Sequence, residues 1–256
     1  MDEPWTLAGR RALITGATKG IGLAIAEEFV ALGASIFVVS RSASDVAALV
    51  DRLRREGHDA AGIAADLATE PGRAVLLAAL AAHWDGLEVL VNNVGTNIRR
   101  PTLQTTLDDL RTLMSINLES AWALSRALHG RLSDGGGCIV NVSSVASQVI
   151  VQTSTAAYAM TKGAMDQMTR FFACEWAPDG IRVNSVHPWY IRTPLAEQVL
   201  QHPEKRALIE GVTPMGRVGE PEEVARAVAF LAMDAASYIS GTHLVIDGGF
   251  SRLGVR

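Results

Sequence analysis

The segment Tyr158-Ala-Met-Thr-Lys162 places a phenol and an amine four residues apart. On a helix, this spacing puts both side chains on the same face. A free tyrosine has a pKa of about 10 and exchanges protons poorly at neutral pH, whereas a nearby ammonium group favours the phenolate. Lowering that pKa to about 7 takes about 4 kcal/mol of differential stabilisation. The same spacing also occurs in ordinary surface pairs, so other polar residues must support a catalytic interpretation.

Two further polar groups stand at the ends of apolar runs that we predict to be strands. Ser143-Ser144 follows the run Cys138 to Val142, and the segment Asn92-Asn93-Val94-Gly95 follows an earlier run. Parallel strands present their carboxyl ends to one crevice, where ligands bind. The sequence therefore predicts that the serines and the asparagine-rich segment meet near Tyr158.

A glycine-rich turn, Thr15-Gly16-Ala17-Thr18-Lys19-Gly20-Ile21-Gly22, joins the first predicted strand to the first helix. Such a turn lets the backbone approach a diphosphate, and the helix N-terminus supplies unpaired N–H groups and a positive dipole end. The spacing is neither that of a P-loop nor the usual G-x-G-x-x-G. Tight packing alone is the alternative explanation. The residues predicted to bind a dinucleotide here are Gly16, Thr18, Lys19, Gly20, Ile21 and Gly22.

Ser40 and Arg41 stand at the end of the second predicted strand, and Arg41 lies nineteen residues beyond Gly22. A fold that binds NAD usually places Asp or Glu at this point, whereas an arginine suits the 2′-phosphate of NADP. No acidic residue occurs between Gly33 and Ser44, and Lys19 adds a second cation. The pattern favours NADPH over NADH, unless Arg41 is simply a solvated loop residue.

Short β-branched runs alternate with Ala/Leu-rich helical stretches along the whole chain. Strands that are apolar on both faces and alternate with helices indicate a parallel sheet covered on both sides. We therefore predict an α/β fold with a Rossmann-type, doubly wound sheet of about seven strands in a single domain, residues 1–256. The predicted helices are 20–32, 44–56, 70–83, 107–131, 156–176 and 221–233. A proline-broken stretch at 188–215 is too long for a simple connection and is predicted to be a substrate-covering lid.

Composition excludes several classes of protein. Among 256 residues, 23 Lys and Arg oppose 27 Asp and Glu, so the net charge of −4 offers no basic excess for nucleic acid. The apolar stretches are shorter than a membrane span needs. Two cysteines and an acidic N-terminus without a secretory pattern indicate the cytoplasm. The six histidines lack metal-ligand spacing, so we predict no metal; His187 is a candidate pocket residue.

These motifs together resemble the short-chain dehydrogenases/reductases over nearly the whole chain. The resemblance includes residues 15–22, Asp66, residues 92–95, Asn117, Ser143-Ser144, the Tyr158/Lys162 pair and the closing Ile246-Asp247-Gly248-Gly249. The stretches AYAMTKGAMDQMTR, GRVGEPEEVARAVAFL and AASYISG resemble the tropinone-reductase-like branch in particular.

The resemblance implies a role for each matching residue. Tyr158 would be the general acid/base, Ser144 would hydrogen-bond the carbonyl or alcohol oxygen, and Lys162 would lower the pKa of Tyr158 and hold the nicotinamide ribose. Asn117 would support a proton-relaying water. Asp66 and Leu67 would contact adenine, Asn93 would stabilise the cofactor site, and Ile191 and Thr193 would meet the carboxamide. The remaining cofactor contacts that the resemblance implies are Val94, Gly95 and Pro188, in addition to Ser40 and Arg41 predicted above from their position after the second strand.

The chain departs from the family pattern beside the substrate. Ser144 and Tyr158 are fourteen residues apart where the family usually has thirteen, so one residue is inserted within 145–157. Ser143 is the alternative active serine, one step further away. His187-Pro188-Trp189 replaces the common Asn-Pro-Gly. Trp189 either narrows the pocket or stacks on a ligand, or it packs outward.

The leading hypothesis is an NADPH-dependent carbonyl reductase that converts a small to medium ketone into a secondary alcohol, reversibly. The alternatives are an NAD-dependent alcohol dehydrogenase and a dinucleotide-binding sensor without turnover. Arg99 and Arg100 follow the asparagine-rich segment and could touch an acidic substrate. Wide apolar faces on helices 107–131 and 156–176 predict burial against a second subunit, and the resemblance implies a homodimer or homotetramer.

Overall fold

Seven strands form one parallel sheet at the centre of the protein, whose computed structural model describes residues 4–151 and 155–253. The sheet confirms the predicted doubly wound, Rossmann-type α/β fold. Each strand occupies one of the apolar runs expected from the sequence. The strands are Arg11–Thr15 (β1), Ser35–Ser40 (β2), Ala60–Ala64 (β3), Val89–Asn92 (β4), Cys138–Val142 (β5), Arg182–Pro188 (β6) and His243–Ile246 (β7).

The strand order β3-β2-β1-β4-β5-β6-β7 reverses direction between β1 and β4. Within this central pair, Leu13 is in register with Leu90 and Ile14 with Val91. The connections that leave β1 and β4 run to opposite sides, so a crevice opens beyond the carboxyl ends of these two strands. The glycine-rich turn and the asparagine-rich segment both start at this crevice.

Helices cover both faces of the sheet because successive strand residues point to opposite sides. Ile14 belongs to the buried apolar cluster on one side of the sheet, and its neighbour Leu13 belongs to the cluster on the other side. None of the helices in the described residues is long and apolar enough to cross a bilayer. The helices are Gly20–Ala31 (α1), Ala43–Arg55 (α2), Glu70–His83 (α3), Leu107–Met114 (α4), Ser120–Ala127 (α5), His129–Ser133 (α6), Ala156–Glu175 (α7), Pro194–Leu200 (α8), Pro203–Val212 (α9) and Pro221–Ala232 (α10).

The predicted helix 107–131 is not continuous. A π-helical turn at Ser115–Glu119 separates α4 from α5, and the hydroxyl of Ser120 donates to the carbonyl oxygen of Ile116 at 2.7 Å. The turn contains Asn117, which is fully buried. Wide turns of this kind occur frequently at functional sites, and an apolar pattern does not reveal them.

The segment predicted as a lid, 188–215, contains the two short helices α8 and α9. They have an apolar cluster of their own, which joins Tyr190 and Val218 to the helix residues Val199, Leu200 and Ile209. Prolines stand at the start of both helices, where a missing N–H costs nothing. The prolines that interrupt the sequence pattern here therefore begin helices instead of preventing them.

Candidate active site

The glycine-rich turn is held in one conformation by close contacts. Gly16 has a φ of +67°, which favours glycine, and a Cβ at Gly22 would overlap the carbonyl oxygen of Gly16. The side-chain amide of Asn93 donates to the carbonyl oxygens of Thr15 at 2.9 Å and Gly16 at 3.1 Å. α1 begins at Gly20 with no side-chain cap from a described residue. Its first N–H groups therefore remain available to an anion.

A cavity of about 480 Å³ runs from this turn to the catalytic candidates. Every residue predicted to bind the cofactor lines it, and so do Ser144, Tyr158 and Lys162. Asn117 does not line the cavity. The cofactor candidates on its wall, besides Tyr158 and Lys162, are Gly16, Thr18, Lys19, Gly20, Ile21, Gly22, Ser40, Arg41, Asp66, Leu67, Asn93, Val94, Gly95, Pro188, Ile191 and Thr193.

At the end of the cavity next to β2, Arg41 is exposed and Ser40 accepts a hydrogen bond from the hydroxyl of Thr18 at 3.0 Å. Lys19 forms an ion pair with Asp45, with 2.8 Å between Nζ and Oδ2. The hydrogen bond from Lys19 lowers the pKa of Asp45. Asp45, the first acidic residue after β2, thus compensates part of the positive charge of Lys19 and Arg41 at this end of the cavity.

Tyr158 and Lys162 lie on one face of α7, as predicted. The hydroxyl of Thr155 accepts from the N–H of Tyr158 at 3.2 Å and starts the helix. Nζ of Lys162 lies 5.9 Å from the centre of the Tyr158 ring and donates to the carbonyl oxygen of Val142 at 2.8 Å. Lys162 is buried, and this burial lowers its pKa to about 8, although the charge of Asp166 opposes the shift.

The pKa of Tyr158 in the chain alone is raised, not lowered. Burial of the phenol is the main cause, and a hydrogen bond with Ser144 and the positive charge of Arg99 only partly oppose it. The resemblance implied a lowering by Lys162, and the chain alone does not provide it. Desolvation disfavours the charged phenolate, so a further positive charge or hydrogen bond is needed to bring its pKa towards neutrality.

The two neighbouring serines point in different directions. Both residues line the cavity, but the hydroxyl of Ser143 is buried and donates to Oδ1 of Asp166 at 2.6 Å, whereas Ser144 hydrogen-bonds Tyr158. Ser144 also accepts from the N–H of Ala146 at 3.2 Å. Only Ser144 is therefore placed to meet a ligand together with Tyr158. The insertion predicted within 145–157 lies partly outside the described residues.

Asn117 connects the π-helical turn to the segment after β4 and to α7. Its carbonyl oxygen accepts from the N–H of Thr96 at 2.8 Å. Its amide donates to the carbonyl oxygen of Thr96 at 3.0 Å and to the hydroxyl of Thr161 at 3.1 Å. Asn117 thus ties the cavity wall to the residue that precedes Lys162.

Trp189 packs against the protein while it lines the cavity. Its ring stacks on Phe250 with 3.6 Å between centroids and an interplanar angle of 7°, and its Nε1 donates to Thr213 at 3.0 Å. The ring of Trp189 is therefore fixed by neighbouring residues, and its remaining surface narrows the pocket.

A chain of polar side chains, which begins at the exposed Arg170 and continues to the buried His187 and Asp166, was not predicted. Arg170 donates to Nε2 of His243 at 2.6 Å, so that nitrogen accepts and Nδ1 carries the hydrogen that goes to Ser185 at 2.7 Å. Nε2 of His187 lies 3.0 Å from Ser185 and 3.0 Å from Oδ1 of Asp166. Asp166, His187 and His243 are close enough to hold a metal ion, yet hydrogen bonds already account for the grouping.

Similar proteins are known over nearly the whole length of the chain. The family model described as enoyl-(acyl carrier protein) reductase matches residues 16–251. A tropinone reductase homologue of Arabidopsis thaliana is 44% identical over 255 residues, 98% of this chain and 95% of the relative.

Solved structures have the same fold. A gluconate 5-dehydrogenase from Burkholderia cenocepacia in complex with NADP and tartrate superposes with a TM-score of 0.93, 33% identity and coverage of 98% of each chain. A 7α-hydroxysteroid dehydrogenase complexed with NADH and 7-oxo glycochenodeoxycholic acid gives a TM-score of 0.91, 30% identity and coverage of 96% of each chain.

Proposed function

We propose that this chain reduces a small to medium ketone to a secondary alcohol with NADPH, reversibly. The chain belongs to the short-chain dehydrogenase/reductase family and to its tropinone-reductase-like branch. The family makes it an oxidoreductase that acts on CH–OH and carbonyl groups of small molecules. The observation that carries the proposal is the placement of Ser144, Tyr158 and Lys162 on one cavity with the glycine-rich turn.

The site fits a dinucleotide. The glycine-rich turn has no room for a side chain at Gly22, which suits a diphosphate that approaches the backbone. The free N–H groups at the start of α1 favour the negative charge of the diphosphate. Residues of the turn would hold the diphosphate, Asp66 and Leu67 the adenine, and Ile191 and Thr193 the carboxamide. When bound, the dinucleotide supplies the hydride and a positive charge in its oxidised form.

The chain's own residues provide orientation and the proton. Ser144 and Tyr158 hydrogen-bond the carbonyl oxygen, and the phenol donates its proton to that oxygen as the alcohol forms. The raised pKa of Tyr158 keeps the phenol protonated before reduction, which is the form this direction requires. Lys162 holds the nicotinamide ribose. Asn117 stabilises the wall beside Lys162, from which we infer that it supports the proton relay.

The preference for NADPH rests on Arg41, which is exposed at the end of the cavity beside Ser40 and Thr18. An exposed guanidinium there can pair with a 2′-phosphate. The ion pair between Lys19 and Asp45 favours the second candidate, an NAD-dependent alcohol dehydrogenase, because it withdraws one cation from the phosphate. Both candidates use the same catalytic residues.

We further infer one catalytic domain, residues 1–256, in which 188–215 covers the substrate. Thr193, at the start of α8, would lie 3.1 Å from a Cβ at Gly20, so this segment meets the glycine-rich turn. Trp122 and Phe171 are 44% and 65% exposed on α5 and α7, which supports a homodimer or homotetramer. A cytoplasmic location and the absence of nucleic acid, membrane and metal partners remain predictions from the sequence.

The test is a panel of cyclic and acyclic ketones assayed with NADPH and with NADH. Tyr158→Phe should reduce kcat/KM by about 10²–10⁴-fold and still bind NADPH. Tyr238→Phe, at a fully exposed tyrosine, is the matched control and should leave both unchanged. Full activity of Tyr158→Phe would refute the catalytic assignment. Faster turnover with NADH would favour the second candidate.

A further inference from the structure

The cavity carries an uncompensated positive charge at its substrate end. Its charged lining residues in the described chain are Lys19, Arg41, Asp66, Arg99 and Lys162. Asp66 stands with Lys19 and Arg41 at the end next to β2 and β3. Lys162 is tied to the carbonyl oxygen of Val142. Apart from Lys162, Arg99 is the cation near Tyr158 on the described part of the wall, and no described carboxylate lines that half.

The hydrogen bonds of Arg99 leave one edge of its guanidinium unused. Nη1 donates to the side-chain oxygen of Gln198 on α8 at 3.0 Å. Nε is buried and has no partner among residues 4–151 and 155–253, and neither has Nη2. A buried donor without a partner is unfavourable, and the Nε–Nη2 edge is the fork that pairs with both oxygens of a carboxylate.

The adjacent Arg100 has a different environment. It is exposed and forms an ion pair with Asp109, with 2.8 Å between Nη1 and Oδ2. Its charge is thus compensated at the surface, and it does not line the cavity. Of two consecutive arginines, only Arg99 faces the ligand space with donors to spare.

Arg99 also acts on the reacting group. Its positive charge lowers the pKa of Tyr158 against the effect of burial, and both side chains line the same cavity. A ligand anion at Arg99 would therefore lie in the same cavity as a carbonyl group at Ser144 and Tyr158.

We propose that Arg99 binds a carboxylate of the substrate through its Nε–Nη2 edge, so that the preferred substrates are ketones that carry a carboxylate group. The inference rests on the proposed ketone reduction and specifies its substrate class. Arginine suits this role better than lysine because its planar fork matches the two oxygens.

Another explanation of Arg99 is purely structural: its bond to Gln198 links the segment after β4 to α8 and could hold the lid closed. A lid contact affects every substrate alike, whereas a carboxylate contact affects only the anion. The ratio of kcat/KM for a keto acid to that for its ester separates the two explanations.

The experiment uses 4-oxocyclohexanecarboxylate and its methyl ester with NADPH. The wild-type enzyme should prefer the acid, and Arg99→Gln should lower the acid-to-ester ratio by about tenfold to hundredfold. Arg100→Gln and Gln198→Ala should keep the wild-type ratio, since they remove the neighbouring charge and the lid contact. An unchanged ratio in Arg99→Gln, or a wild-type preference for the ester, would overturn the inference.

Binding provides a second measurement that does not depend on turnover. Calorimetry with unreactive cyclohexanecarboxylate, in the presence of NADP⁺, compares Tyr158→Phe with the double variant that adds Arg99→Gln. Binding that is lost in the double variant supports the inference even if neither ketone is reduced. The absence of reduction would refute only the proposed function. No binding by Tyr158→Phe, or equal binding by the two variants, would overturn the inference about Arg99. Arg99→Lys, which keeps the charge without the fork, replaces Arg99→Gln if that protein fails to fold.

Discussion

Nε2 of His187 lies 3.0 Å from Oδ1 of Asp166, and both side chains are buried. Burial alone would raise the pKa of Asp166, but hydrogen bonds from His187 and Ser143 outweigh it and keep this pKa below the ordinary value. Asp166 therefore remains a carboxylate one helical turn beyond Lys162. Its charge is the one that opposes deprotonation of the buried amine.

The first prediction concerns the titration of Lys162. Since burial lowers its pKa to about 8, the amine should lose its proton as the pH rises through that value. The chain has only three lysines, Lys19, Lys162 and Lys205, so ¹³Cε-labelled lysine should give three assignable NMR signals. Lys162→Met identifies the relevant signal. A titration of that signal near 10.4, the value of a free lysine, would contradict the prediction.

The second prediction concerns Asp166→Asn. Loss of the carboxylate should move the pKa of Lys162 further down, because the negative charge that opposes the effect of burial disappears. The same NMR titration measures the shift, and the alkaline limb of the kcat/KM profile should move in the same direction. Asp108→Asn, at an exposed carboxylate on α4, is the matched control. A merely structural role for Asp166 would lower the melting temperature but leave both titrations in place.

The third prediction concerns Arg41→Asp. Replacing the exposed guanidinium by a carboxylate should lower the ratio of kcat/KM for NADPH to that for NADH by about tenfold to hundredfold, because a charge-assisted hydrogen bond is lost. Initial rates with both coenzymes provide the ratio. Arg55→Asp, at an exposed arginine near the end of α2, serves as the control. If Arg41→Asp kept the wild-type ratio, the phosphate assignment would be wrong.

The fourth prediction concerns Asp45→Asn, which should have the opposite effect. Without its ion pair, Lys19 is free to approach a 2′-phosphate, and a negative charge leaves the neighbourhood. Exposed ion pairs are weak because water screens them, so the NADPH preference should rise by no more than about fivefold. Lys19→Gln/Asp45→Asn should lack the part of the rise that depends on Lys19. A lower NADPH preference in Asp45→Asn would show that the carboxylate itself supports the phosphate site.

The fifth prediction concerns Gly22→Ala. The added Cβ would meet the carbonyl oxygen of Gly16 and lie 2.5 Å from Nδ2 of Asn93, so the turn must shift. Overpacking of this kind costs about 1–3 kcal/mol, and the Kd for NADPH should rise by about tenfold or more. Gly163→Ala lies within α7, and no described atom beyond the neighbouring helix backbone is within 4 Å of its added Cβ, so this variant should keep the Kd and gain stability. Unchanged NADPH binding in Gly22→Ala would refute the assignment of the glycine-rich turn to the diphosphate.

The sequence predicts most of what is local and little of what depends on register between distant segments. Each buried strand produces an apolar run, and the pair Tyr158/Lys162 needs only the period of a helix. The contact between Ser185 and His243 arises because these two residues are partners in the register of β6 and β7, which no spacing reveals. The ion pair between Lys19 and Asp45 likewise depends on how α2 follows β2.

The wide turn at Ser115–Glu119 amounts to one residue more than an α-helix would contain. Deletion of one residue there would join α4 and α5 into one regular α-helix and would preserve the apolar faces of both. The carboxamide at position 117 would then rotate away from Thr96 and Thr161. A change that leaves the architecture intact would thereby uncouple the cavity wall from the helix that bears the phenol and the amine.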